Sequence, residues 1–242
     1  MHTDGHHTMS VDTMNDEVQA HADSGVRSLF TFGHRDGLPA AEAIDFALAE
    51  ETMKTWFGSA SPFQGLLDFG FNGRSQKTLG KEVYSREMNW AFGYNLMTAV
   101  HAGQGNYSFG VEQVRDWGYW GPKSLIVHAK PEDRVAMAEA RASLSYSVHS
   151  ELRLGNSGYI AEQMVHMFND DVRVSPSFGG NTLAPIDMCE SMATAFYMGI
   201  PHTGTSTEGL VPVNFPDAIR MGTINGAKAL GIAAPHPIDN VG

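Results

Sequence analysis

Short apolar runs alternate along this chain with longer stretches whose apolar residues recur at helical spacing. The runs cover residues 27–32, 63–71, 95–101, 124–129, 143–149 and 172–178, and each has the length of a buried strand. After the last run, Cys189, Met192, Ala193 and Phe196 repeat at i, i+3, i+4 and i+7, which predicts an amphipathic helix. Such alternation favours an α/β fold with parallel strands joined by helical crossovers.

Histidines stand at the ends of three successive predicted strands, at His101, His128 and His149. A closed barrel and an open doubly wound sheet both fit the alternation, but no G-x-G-x-x-G motif follows any strand, which disfavours a dinucleotide-binding sheet. In a barrel, the C-terminal ends of all strands open onto one face, where active sites are built. Because imidazole is a common metal ligand and a usable base, we expect at least two of these histidines to share a site. The alternative is that each is a hydrogen-bonded structural residue.

Composition narrows the class of protein further. The chain has 242 residues, of which 42% are hydrophobic, and no linker-like Gly/Ser or Pro run, so we expect one domain over residues 1–242. Its net charge of −11 argues against a nucleic acid or an anionic membrane as a partner. Cys189 is the single cysteine, and neither a signal peptide nor an 18-residue apolar run is present, which favours a cytoplasmic location.

Several segments resemble the amidohydrolase superfamily, in the branch that contains cytosine deaminase and atrazine chlorohydrolase. FPDAIRMGTINGAKALGI (215–232) is close to that branch's T-x-N-G-A-x-A-L-G helix, the most specific of the matches. LMTAVHAGQ (96–104) resembles its fifth barrel strand, SLIVHAKPEDRVAMAEA (124–140) its sixth strand and following helix, and SYSVHSELRLGNSGYIAEQM (145–164) its seventh. The resemblance covers nearly the whole chain and implies a (β/α) barrel of the TIM type.

The resemblance implies a divalent metal (zinc, iron or manganese), with His101 and His128 matching the fifth-strand and sixth-strand ligands. Three departures affect the same site. No H-x-H pair precedes the barrel, the eighth-strand Asp position falls at about Gly179, and the deaminase H-x-x-E motif ends here in Gln104. The barrel is therefore expected to be incomplete, without its first strand and without the flanking β-sandwich of its relatives.

Other residues are candidates to complete the chemistry. His128 is also a candidate catalytic group, together with His149, and Glu151 could replace the missing base, although a loop carboxylate paired with Arg153 is the simpler reading. Gln104, Asn106 and Tyr107 follow His101 in a glycine-containing loop that could orient a polar substrate.

Three functions remain open on the sequence. If a metal is bound, the expected reaction is hydrolysis of a C–N bond in a small polar or heteroaromatic molecule. Without a metal, the strand-end histidines could serve a lyase or isomerase, and a barrel remnant could also bind a ligand or partner without catalysis. Because a missing strand leaves open sheet edges, we also expect a homo-oligomer.

Overall fold

The computed structural model describes residues 2–5, 10–35, 37–75, 79–102, 111–153, 157–178 and 185–232. By its internal contacts the chain divides into two compact units, residues 1–129 and residues 130–242. The expectation of a single domain stays a prediction. In both units the strands run parallel and alternate with helices, so the predicted α/β fold class is confirmed.

The first unit contains five parallel strands, each hydrogen-bonded to the next in the chain. They are β1 (His2–Gly5), β2 (Ser28–Phe32), β3 (Leu67–Gly73), β4 (Met97–His101) and β5 (Ser124–Val127). The connections contain α1 (Val11–Asp23), α2 (Phe46–Trp56), α3 (Lys81–Gly93) and α4 (Val111–Asp116). All five residues of β2 are buried, as expected for a parallel strand covered on both faces.

Local sequence signals explain where the helices of this unit begin. The Ser10 hydroxyl accepts a hydrogen bond from the Thr13 amide, and the Asp45 carboxylate accepts one from the Leu48 amide. These side chains satisfy amides that the first helical turn leaves without a partner. On its inner face α1 buries Met14 and Val18 completely, which anchors the helix to the unit.

The second unit contains β6 (Ser143–Tyr146) and β7 (Arg173–Pro176), which pair in parallel. Around them lie a 3₁₀ turn (Pro131–Asp133) and helices α5 (Arg134–Ala140), α6 (Val148–Arg153), α7 (Ser157–Asn169) and α8 (Met188–Met198). A last helical segment consists of α9 (Phe215–Arg220), a π-helical turn (Met221–Asn225) and α10 (Gly226–Ala229). Helix α9 begins at a reciprocal capping box, which is formed by Asn214 and Asp217.

The side of β7 that faces away from β6 is covered by the π-helical turn. The Ser177 amide donates to the Tyr146 carbonyl of β6. Odd-numbered residues of this segment therefore direct their backbone groups toward β6, and even-numbered residues, such as Val174, direct theirs away from it. There the Asn225 side-chain amide donates to the Val174 carbonyl at 3.1 Å. The Asn225 side chain thus takes the place of a neighbouring strand at this edge. It satisfies the Val174 carbonyl, which would otherwise lack a hydrogen-bond donor.

One predicted strand was too long, and one strand was not predicted. The run at 143–149 ends as a strand at Tyr146, and His149 lies in the first turn of α6. Val148 continues the alternation of Leu144 and Tyr146 and is equally buried, so alternation alone could not separate the strand from the helix start. Residues 2–5, in contrast, have no apolar pattern and still pair with β2.

Candidate metal and catalytic site

His101 is the last residue of β4, and the register of the sheet places it opposite Val127 on β5. The amide that follows it, that of Ala102, donates to the Val127 carbonyl at 2.9 Å. His128 is therefore the first residue beyond β5, at the same edge of the sheet and beside His101. Both imidazoles are half-buried.

His128 adopts a left-handed backbone conformation, with a φ of 60°. This region costs most residues about 1–2 kcal/mol relative to the right-handed one, although histidine enters it more often than most. Residues held in such conformations concentrate at functional sites. At this position the backbone turns immediately after β5, and the His128 ring comes close to His101.

The two imidazole rings fit two adjacent positions around a single metal ion. Their centroids are 5.4 Å apart and the ring planes are tilted by 44°. An imidazole nitrogen binds zinc at about 2.0–2.1 Å, so two rings on one tetrahedral ion have centroids roughly 5 Å apart. The spacing therefore matches a shared ion.

Two imidazoles do not complete a metal site, because catalytic zinc uses three protein ligands. Within the described ranges, no group of three or more His, Cys, Asp or Glu side chains is arranged to hold a metal ion. The predicted substrate residues Gln104, Asn106 and Tyr107, and the eighth-strand position Gly179, lie outside the described residues.

His149 and Glu151 lie in α6 rather than at a strand end, which corrects the predicted placement of His149. His149 Nε2 is 3.2 Å from the Thr194 hydroxyl and 3.7 Å from the Glu190 carboxylate, both on α8. Its ring thus joins two helices of the second unit. Glu151 is buried, and its amide donates to the Ser147 carbonyl. Burial raises the pKa of Tyr146 well above its ordinary value, and the charge of Glu151 adds to this effect.

Sequence reasoning missed a buried ion pair at the same end of the first unit. Arg74, directly after β3, contacts the Glu87 carboxylate of α3 at 2.6 Å, and both side chains are nearly inaccessible. Burial raises the pKa of Glu87, and the Arg74 charge offsets part of that rise. A sequence signal existed, because position 87 falls on the apolar face of α3 next to Tyr84, Met88 and Ala91.

The ion pair holds the segment between β2 and α2. Arg74 donates to the carbonyls of Pro39 and Glu42, and Glu87 accepts from the Ile44 amide at 3.1 Å. Residues of this segment, with His34 at the C-terminal end of β2, line a cavity of about 240 Å³. Because the strands are parallel, this cavity and the His101–His128 pair lie at the same edge of the sheet.

The aromatic segment that precedes β5 packs against α3. Tyr84 makes edge contacts with Trp117 and Tyr119, and the Lys81 ammonium lies 4.7 Å from the centre of the Trp117 ring. Trp120 is buried. These contacts explain the cluster as packing within the first unit.

The parallel strands and alternating helices give the chain an α/β fold that is similar to the fold of several solved structures. It is similar to zinc-bound adenosine deaminase from Xanthomonas campestris, with a TM-score of 0.70, 18% identity, and coverage of 90% of this chain and 51% of that one. It is also similar to zinc-bound atrazine chlorohydrolase from Arthrobacter aurescens, with a TM-score of 0.66, 15% identity, and coverage of 90% and 52%. A third similar structure is guanine deaminase from E. coli, with a TM-score of 0.68, 14% identity, and coverage of 92% and 54%.

These likenesses confirm the fold that the sequence resemblance implied. The chain spans about half the length of the solved structures it matches. No model of a known protein family matches the sequence, and no curated protein matches it. Among the described residues, no helix is long and apolar enough to cross a membrane.

Proposed function

We propose that this protein is a hydrolase of the amidohydrolase type, acting on a small polar or heteroaromatic molecule. The observation that carries the proposal is the His101–His128 pair, whose rings lie 5.4 Å apart at the ends of adjacent parallel strands. Similar structures are those of two deaminases and a chlorohydrolase, which supports hydrolysis as the reaction class, and the two deaminases support a C–N bond as the target.

In this proposal His101 and His128 hold a divalent metal, with zinc, iron and manganese as the candidates. The metal would supply Lewis-acid activation of water. The chain's own contribution is to fix both imidazoles at one edge of the sheet, His101 through the β4–β5 register and His128 through its left-handed backbone. Gln104, Asn106 and Tyr107 stay predicted substrate contacts, and His149 and Glu151 stay predicted catalytic groups.

A second candidate function is favoured by one observation. Because the described part of the chain offers no third metal ligand near the pair, the histidines could transfer protons without a metal or bind a ligand without catalysis. The two candidates differ in whether metal binding requires both histidines.

The test is a zinc titration of the purified protein after treatment with a chelator. We expect one zinc per chain in the wild type, and an affinity loss of at least tenfold in His101→Ala and in His128→Ala, because each removes one ligand. His202→Ala is the matched control, since His202 is exposed and far along the chain from either strand. Zinc binding that survives both substitutions would refute the metal site and favour the second candidate.

Activity and assembly are tested separately. Release of ammonia from a panel of aminated purines, pyrimidines and triazines would identify the reaction, and the loss of that release in His101→Ala would link it to the pair. The proposed homo-oligomer predicts a mass above 26.3 kDa in light scattering. A monodisperse monomer at micromolar concentration would contradict the proposed assembly without affecting the site.

A further inference from the structure

A cleft of about 330 Å³ lies in the second unit at the N-terminal end of β7. It is lined by Val172, which precedes β7, by Arg173, the first residue of β7, and by residues of the segment from α9 to α10. Active sites of parallel barrels form at the opposite, C-terminal ends of the strands. The cleft belongs to the second unit, whereas His101 and His128 belong to the first. We call it the β7 cleft.

Three cationic side chains line the β7 cleft: Arg173, Arg220 and Lys228. The whole chain has only 16 Lys and Arg residues against 27 Asp and Glu residues, so such a grouping is unusual for this protein. Arg220 and Lys228 form no ion pair with any residue in the described ranges. The Arg173 side chain donates a hydrogen bond to the Ser143 hydroxyl, at 3.2 Å. Three cations that share a cleft without a salt bridge among described residues are suited to an anion.

Two carboxylates also line the cleft and restrict what can enter it. The Asp217 carboxylate already accepts a hydrogen bond from the Asn214 amide in the capping box, so α9 holds it at the helix start. Asp171 is exposed and, with a φ of 57°, sits on a left-handed turn before β7. A carboxylate beside a cationic cleft repels a free anion but accepts hydrogen bonds from hydroxyl groups.

The cleft wall is held in place by a hydrogen bond between the π-helical turn and β7. Asn225, which lines the cleft, donates from its side chain to the Val174 carbonyl of β7. Asn225 ends the π-helical turn Met221–Asn225, and such turns are rare and occur frequently at functional sites. This contact fixes the position of the segment that supplies Arg220 and Lys228 relative to the strand that supplies Arg173.

We propose that the β7 cleft binds a small phosphomonoester that carries hydroxyl groups. Arg173, Arg220 and Lys228 hold the phosphate, because guanidinium and ammonium groups form the strongest hydrogen bonds to phosphate oxygens. Asp171 accepts hydrogen bonds from the hydroxyl groups of the same ligand. The volume of about 330 Å³ is at the lower end of small-molecule sites, which suits a ligand of this size.

Isothermal titration calorimetry with glycerol 3-phosphate tests the proposal at fixed ionic strength. We expect saturable binding to one site per chain, with inorganic phosphate binding more weakly and glycerol not binding. Arg220→Gln and Lys228→Gln should each weaken binding by about tenfold or more, the loss expected for one charge-assisted hydrogen bond. Lys54→Gln, which removes an equal charge from an exposed position on α2, should leave the affinity unchanged.

Asp171→Asn gives a test of opposite sign. Asparagine tolerates the left-handed backbone, so this variant should fold. Removal of the carboxylate should strengthen the binding of inorganic phosphate and reduce the advantage of glycerol 3-phosphate over it. If the wild type binds inorganic phosphate as tightly as glycerol 3-phosphate, the proposal that the ligand is a phosphomonoester is refuted. Absence of saturable binding, or equal binding by the wild type, Arg220→Gln and Lys228→Gln, would refute the site. None of these readouts requires catalytic activity or a bound metal.

Discussion

The left-handed backbone at His128 makes a prediction that can be worked out from the structure. At a φ of 60° an alanine carries a steric cost of about 1–2 kcal/mol that glycine does not. Glycine loses more backbone entropy on folding, which costs about 0.5–1 kcal/mol relative to alanine. The difference between these terms predicts that His128→Gly is more stable than His128→Ala by roughly 0.5–1 kcal/mol.

The free energy of unfolding is measured by urea denaturation followed by circular dichroism, with chelator present so that metal binding does not contribute. At Lys54, an exposed position within α2, the order should reverse, with Lys54→Ala more stable than Lys54→Gly by about 1 kcal/mol. If His128→Ala is as stable as His128→Gly, the left-handed backbone conformation at position 128 is refuted. If His128→Gly is also more stable than the wild type, the histidine is retained at a cost to stability, as expected of a functional group.

Three further predictions concern stability. Arg74→Met should lower the free energy of unfolding by about 3–5 kcal/mol, because it leaves the Glu87 carboxylate buried without its cation. Gly199→Ala should cost about 1–3 kcal/mol, because the added methyl group would lie 2.4 Å from the β-carbon of Val213. Burial lowers the pKa of His21, so the folded state binds this proton more weakly than the unfolded state does. The contribution of His21 to the free energy of unfolding is therefore complete above pH about 6.5 and is lost as the pH falls below that value. The His21→Asn variant should lack this part of the decrease in stability at low pH.

Each of these predictions has a matched control or a contrary outcome. Arg86→Met removes an exposed cation one residue from Glu87 and should change stability by less than about 0.5 kcal/mol. Gly93→Ala, where an added methyl group would meet nothing within 4 Å, should not destabilise the protein. Urea denaturation at pH 5 and pH 7 measures the His21 effect, and an unchanged pH dependence in His21→Asn would contradict it.

The sequence alone determined the order of the elements and, within the candidate site, the pairing of His101 with His128. Four strands lie within their predicted runs: β2, β4, β5 and β7. A strand buried on both faces needs consecutive apolar residues, whereas a connecting helix repeats its apolar residues every three to four positions. The pairing of His101 with His128 also follows from the order of residues, since parallel strands that follow one another in the chain end at one edge of a sheet.

What the tertiary structure decided depends on contacts between residues distant in sequence. The segment from 143 to 149 alternates without interruption, but in the structure its last residues begin α6, and His149 contacts Thr194 and Glu190 on α8. The apolar face of α3 indicates that Glu87 is buried, but nothing local indicates that Arg74, 13 residues earlier, is its partner. Periodicity reports which face of an element is buried, but it does not report which neighbour that face meets. The partner of a polar group is fixed by the packing of whole elements, and so the ion pair and the β7 cleft emerge only when the chain is folded.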